Sequence, residues 1–140
     1  MFWDSSALVP TILPAQASAA LGVLVRSDRR RTLWWGSPVE CQSALFRRHR
    51  DTPLPAALLD GALRRLADLV EASDVVAPTI PLRERAGRLL AAHPLRAGDA
   101  LQLAAALGWC ENAPDGETFV CLDARLREAA RREGFAILPT

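Results

Sequence analysis

Hydrophobic positions along the chain fall into short continuous runs separated by longer stretches of helical spacing. Met1-Phe2-Trp3 reads as a short buried strand ending at Asp4. Ala15 to Arg26 is rich in Ala and Leu and predicts a helix. Thr32 to Trp35 is short, aromatic and β-prone, and Gly36-Ser37-Pro38 follows it. Ser37 then reads as an N-cap with Pro38 at the first helical position, opening a helix to about Arg48. Leu54 to Ser73 is the clearest amphipathic segment: Leu58, Leu59, Ala62, Leu66, Leu69 and Val70 recur at helical spacing, opposite Asp60, Arg64, Asp68 and Glu71.

Val75-Val76-Ala77 predicts a further strand, closed by Pro78. Leu82 to Ala92 predicts a helix that Pro94 prevents from continuing. Ala97 to Cys110 has a broad apolar arc and predicts a buried helix. Turn residues fill Asn112 to Gly116, and Phe119 to Leu122 is an apolar run suited to a strand covered on both faces. Asp123 opens a last helix with Leu126, Ala129 and Ala130 inward and Gly134 at its end; Phe135 to Leu138 is the final strand. Strand and helix alternate throughout. That order predicts one α/β domain over 1–140, a central parallel sheet with helices on both faces.

Composition adds limits. The chain has 140 residues, half of them hydrophobic, which suits a single folded core. No run approaches the roughly 20 apolar residues of a membrane span. Met1 to Ser6 lacks a basic segment and reaches an acid at Asp4, so no secretory signal is expected and the cytoplasm is the expected compartment. Cys41, Cys110 and Cys121 are widely spaced and form no CxxC pair, and His49 and His93 add no ligand spacing. They read as buried small thiols. A formal charge of +1 does not announce a nucleic-acid binder. Every basic side chain apart from histidine is Arg and none is Lys. Clusters such as Arg29-Arg30-Arg31 read first as solvated helix faces, although Arg also suits phosphate.

The acids carry the candidate chemistry. Asp4 follows the first strand and Asp123 the strand at 119–122, and in parallel sheets ligands sit beyond the carboxyl ends of strands. Glu40 and Asp99 fall in the first turns of two helices, where negative charge is favoured. Taken singly, each is first a helix cap or a solvated surface group. Four carboxylates converging on one sheet edge would instead make a hard oxygen site for Mg²⁺ or Mn²⁺ and phosphoester chemistry.

Motifs extend this reading. Phe2-Trp3-Asp4-Ser5-Ser6-Ala7-Leu8-Val9 resembles the first motif of PIN domains, in particular the VapC-type toxins of toxin–antitoxin pairs. Ser37-Pro38-Val39-Glu40-Cys41-Gln42-Ser43-Ala44-Leu45 resembles the second. The segment His93 to Ala104, with Gly98-Asp99-Ala100-Leu101 at its centre, is similar to the third and is the most specific match. Phe119 to Leu126, followed by Ala129-Ala130 and Gly134-Phe135, resembles the fourth. The four run in family order from Phe2 to Pro139 and cover nearly the whole chain.

The resemblance implies a PIN-like fold and an Mg²⁺- or Mn²⁺-dependent endoribonuclease. It implies metal ligation and catalysis by Asp4, Glu40, Asp99 and Asp123, with the Ser6 hydroxyl orienting a ligand or a water. It also implies an RNA substrate, a homodimer and a cognate VapB-type antitoxin. There are two departures. Cys121 stands where a hydroxyl is common, and a thiol is the weaker donor. The loop from Glu111 to Glu117 is longer, which brings Asp115 and Glu117 near the fourth motif in sequence.

The expected mechanism has Asp4, Asp99 and Glu40 anchoring a divalent ion, with Asp123 helping to bind it or a second one. Activated water then attacks an RNA phosphodiester in line, and Arg96 either contacts substrate phosphate or forms a structural salt bridge. A different class of reading is a non-catalytic PIN-like module that binds RNA or protein. A phosphotransfer domain with Asp4 as nucleophile would need a Lys near the site, and the chain has none. The apolar stripe of 54–73 suits a dimer interface and core packing alike.

Overall fold

A computed structural model describes residues 1–13 and 18–140. The predicted helix 15–26 lies in part outside this range, since its first three residues, 15–17, are not among the described residues. The elements, in chain order, are β1 (Phe2–Trp3), α1 (Ser5–Ile12), α2 (Ala19–Ser27), β2 (Thr32–Trp34), α3 (Ser37–Asp51), α4 (Ala56–Glu71), β3 (Asp74–Val76), α5 (Ile80–Ala92), α6 (Ala97–Trp109), β4 (Thr118–Val120), α7 (Ala124–Arg132) and β5 (Ala136–Leu138). The five strands form one sheet in the order β3-β2-β1-β4-β5, and every pairing is parallel. The predicted α/β architecture is therefore present.

Strand alternation sends neighbouring side chains to opposite faces, and each face has its own core. Phe2, Trp34 and Phe119 pack with α5, α6 and α7 through Leu82, Leu103 and Leu126. Trp3, Leu33 and Val120 pack with α1 to α4 through Leu8, Leu21, Leu45 and Leu66. Phe2 and Phe119 stack across β1 and β4 with ring centroids 5.5 Å apart. The α4 stripe belongs to this second core: Ala62 and Leu66 are buried, while Leu58 faces outward. Among the described residues no helix is long and apolar enough to cross a membrane.

Two local features differ from expectation. The first is α1, a helix the hydrophobic pattern did not announce. Pro10 lies inside it and removes one backbone donor, but Asp4 caps its start and Ala7, Leu8 and Ile12 bury its inner side. The second is the start of α3. Gly36 is the capping residue, and its carbonyl accepts from Val39 and Glu40 at 3.1 and 3.2 Å. Ser37 is already inside the helix and its hydroxyl makes no cap; it accepts from Gln102 instead. Only a residue without Cβ fits at Gly36, since an added Cβ would lie 2.6 Å from the Trp34 indole nitrogen.

The connections explain where a site can form. The helices after β1 and β2 cover one face, while those after β3 and β4 cover the other. The chain leaves β1 and β4, which are neighbours, toward opposite faces. Such a reversal opens a crevice at the carboxyl ends of the two strands. Asp4 follows β1 at that edge, and Cys121-Leu122-Asp123 follows β4.

Candidate metal centre

Asp4 is the buried member of the site, only 3% exposed. Its backbone N–H continues the ladder by donating to Val120 O at 2.9 Å. Its Oδ2 accepts from the Ser6 backbone N–H at 2.9 Å and from the Ser6 hydroxyl, with the Cys121 thiol 3.6 Å away. Burial pushes the Asp4 carboxyl up to about 6; the Ser6 hydroxyl and amide and the Cys121 thiol pull it down, and the Glu40 charge pushes it further up. The charges of Asp4 and Glu40 thus oppose one another.

Ser6 ties the crevice together. Its hydroxyl proton goes to Asp4, and its oxygen accepts from Leu122 N–H at 2.9 Å and Asp123 N–H at 3.2 Å. A hydroxyl has one proton and two lone pairs, so these bonds use all of it. Ser6 holds the carboxylate of Asp4 and the backbone of Asp123 in register. Cys121 occupies the expected hydroxyl position, buried, and its sulfur lies 3.6 Å from Asp4 Oδ2 and from Asp123 O. Burial, then Asp4, raises its thiol well above the ordinary range. Cys41 is pushed up to about 12 by burial, then by Asp4 and Glu40. Both thiols stay protonated and inert at neutral pH.

Glu40 is half-buried in the first turn of α3, at the positive end of the helix dipole. Its Oε2 accepts from Gln102 Nε2 at 2.8 Å. Its Oε1 lies against the first turn of α6, 3.6 Å from where a Cβ on Gly98 would sit. Asp99, next to Gly98, is half-buried and accepts from the Arg96 backbone N–H at 3.2 Å. Asp123 is exposed and caps α7, its Oδ1 accepting from Arg125 and Leu126 N–H at 2.9 Å each. The structure therefore sets Glu40 where its charge acts on Asp4. It sets Asp123 on the adjoining turn, and Asp99 in the helix turn that borders Glu40.

Among the described residues no three of His, Cys, Asp and Glu form a group that could hold a metal ion. The physical reason is visible in the bonds above. Asp99 and Asp123 each turn an oxygen back to a helix N-terminus. The donor set still fits a hard divalent ion. Carboxylate oxygens are the ligands such ions take. Among the described residues none of the four acids is in an ion pair, which leaves a buried carboxyl at Asp4 with no cation beside it.

Other expectations can be placed. Arg96 is exposed, and among the described residues it makes no ion pair with Asp99. Asp115 and Glu117 precede β4, at the opposite end of the sheet from Asp4, so their closeness to the fourth motif in sequence does not bring them to the site. His93 is buried against Glu133 at 2.6 Å. Gln102 was not singled out from sequence. Its signal was a lone amide, three residues after Asp99, in an otherwise apolar helix core.

No family model matches the chain, and no curated protein matches it. Among solved structures, the crystal structure of PAE2754 from Pyrobaculum aerophilum is similar, with a TM-score of 0.68 over 98% of this chain and 87% of that one. Sequence identity is 18%, so the likeness shows the fold.

Proposed function

We propose that the chain is a PIN-type, Mg²⁺- or Mn²⁺-dependent endoribonuclease, the toxin of a toxin–antitoxin pair. The observation that carries this reading is Asp4. It is a buried carboxyl in no ion pair among the described residues, opposed by the Glu40 charge, in the crevice where the chain reverses between β1 and β4. Burying a carboxylate is costly unless a cation compensates it, and the edge where it sits is where parallel sheets take ligands. Asp4 and Glu40 would hold the ion, with Asp99 and Asp123 completing the set from the two bordering helix starts. A divalent ion there supplies charge stabilisation and water activation for phosphodiester hydrolysis.

The chain's own groups supply position. Ser6 fixes Asp4 relative to the Asp123 turn, and exposed Arg96 at the start of α6 is available to substrate phosphate. The four motifs in order support the same reading. They bring with it RNA as substrate, a VapB-type antitoxin and a homodimer as partners, and the cytoplasm as compartment.

The test is cleavage of total RNA with sequencing of the ends. Wild type cuts in Mg²⁺ and is silent in EDTA, and alanine at Asp4 or Asp99 abolishes cutting while the fold survives. Equal cutting in EDTA and Mg²⁺ would sink the metal mechanism. One observation favours a non-catalytic binding module instead: Asp99 and Asp123 are both engaged as helix caps. That module predicts no carboxylate-dependent Mn²⁺ binding in a calorimetric titration.

A further inference from the structure

Gln102 lies 1% exposed in α6, beside the continuous buried run Leu103 to Leu107. A primary amide is a poor choice for such a place, because each polar atom it buries is costly unless bonded. Nε2 is bonded twice, donating to Glu40 Oε2 at 2.8 Å and to Ser37 Oγ at 3.1 Å. Oε1 is buried and has no partner. The amide therefore gives up its acceptor in order to aim both protons at the first turn of α3. The reverse orientation would set its oxygen against the lone pairs of the Glu40 carboxylate.

Glu40 needs such a hold. It is a flexible side chain, half-buried, and its charge acts against that of Asp4. Repulsion alone would swing it out to solvent. Instead Gln102 of α6 bonds Oε2, and Oε1 lies over Gly98 in the first turn of the same helix. Gln102 and Asp99 are three residues apart and so share one side of the helix. One rigid, buried helix thus sets the positions of two of the four acids.

We propose that Gln102 is a positioning residue, holding the Glu40 carboxylate beside Asp4 so that the pair can take a divalent cation. This rests on the metal-dependent reading above. The role asks for an amide of this length. Met fills the volume without an N–H, and Asn carries the amide one methylene short.

The test is calorimetric titration of the metal-free protein with Mn²⁺, which reads binding without any turnover. Gln102→Met should bind roughly 10- to 100-fold more weakly than wild type, the usual loss when a ligand's hydrogen-bond partner is removed. Ser37→Ala, which removes only the other acceptor, should bind as wild type does. In a Glu40→Ala background the Gln102 substitution should have no further effect. If Gln102→Met does not fold, Gln102→Asn should give the same loss. Undiminished Mn²⁺ binding in the folded variant, or an equal further loss without Glu40, overturns the role of Gln102 and leaves the proposed function standing. Absence of Mn²⁺ binding by the wild type itself overturns both.

Discussion

At the scale of single residues, the energetics centre on Asp4. An aspartate ordinarily titrates near 3.8, and burial moves this one up to about 6. A carboxyl whose folded value is raised binds its proton more tightly when folded. Without metal, the fold is therefore favoured where the proton is on. The penalty is absent below pH 4, grows between pH 4 and 6, and is complete above that. A shift of this size corresponds to about 3 kcal/mol. Asp4→Asn keeps a capping oxygen but carries no charge. In EDTA the variant should have a higher denaturant midpoint than wild type at pH 7.5, and the two should converge by pH 4. Parallel pH profiles would show that Asp4 does not carry the burden assigned to it. Cys121 makes a finer test. Its thiol is a weak donor 3.6 Å from Asp4 Oδ2, and a hydroxyl there would hold the carboxylate better. Cys121→Ser should lower the pH at which wild-type stability falls off, toward the ordinary aspartate value. A midpoint that stays put or rises would contradict it.

At the scale of elements, the acids have a second occupation. Asp123 caps α7 and Asp99 closes the first turn of α6, whatever else they do. Two substitutions separate the roles at Asp123. Alanine removes the cap, at a cost of about 1 kcal/mol in unfolding free energy, whether or not a metal binds. Asparagine retains a capping oxygen and loses the charge. Asp123→Asn should therefore unfold within about 0.5 kcal/mol of wild type in EDTA and bind Mn²⁺ more weakly. If it binds Mn²⁺ as wild type does, Asp123 is a cap alone. This double use explains what could be read in advance. The cap at Asp123 was legible, because an Asp between an apolar strand and an amphipathic helix has few other readings. Helix α1 was not legible, because Pro10 interrupts its pattern and its stability comes from Asp4 and the core beneath it. Ser37 looked like a cap because it precedes Pro38, yet Gly36 starts the helix and frees the Ser37 hydroxyl for Gln102. A contact spanning 65 residues has no local signature.

At the scale of the whole molecule, the strand order turns separate acids into one site. Strands β1 and β4 are far apart in sequence and adjacent in the sheet. The alternation of elements announced a parallel sheet, but it did not say which strands would be neighbours. The reversal between them gathers Asp4 and the Asp123 turn at one edge, and the buried helix α6 brings its first turn to Glu40. Such an assembly has a cost that the fold carries when no cation is present, and relief of that cost should be measurable in the stability of the entire domain. A ligand that binds only the folded state adds RT ln(1 + [L]/Kd), about 2.7 kcal/mol at a hundredfold excess over Kd. For a chain of this size that is a rise of about 5–10 °C in Tm. Mn²⁺ should therefore raise the Tm of wild type at pH 7.5 by several degrees and much less at pH 4.5, where protons occupy Asp4. Asp4→Asn should show little rise at either pH. A rise of the same size in wild type and Asp4→Asn would place the ion elsewhere on the molecule and remove the reason for assigning the crevice to metal.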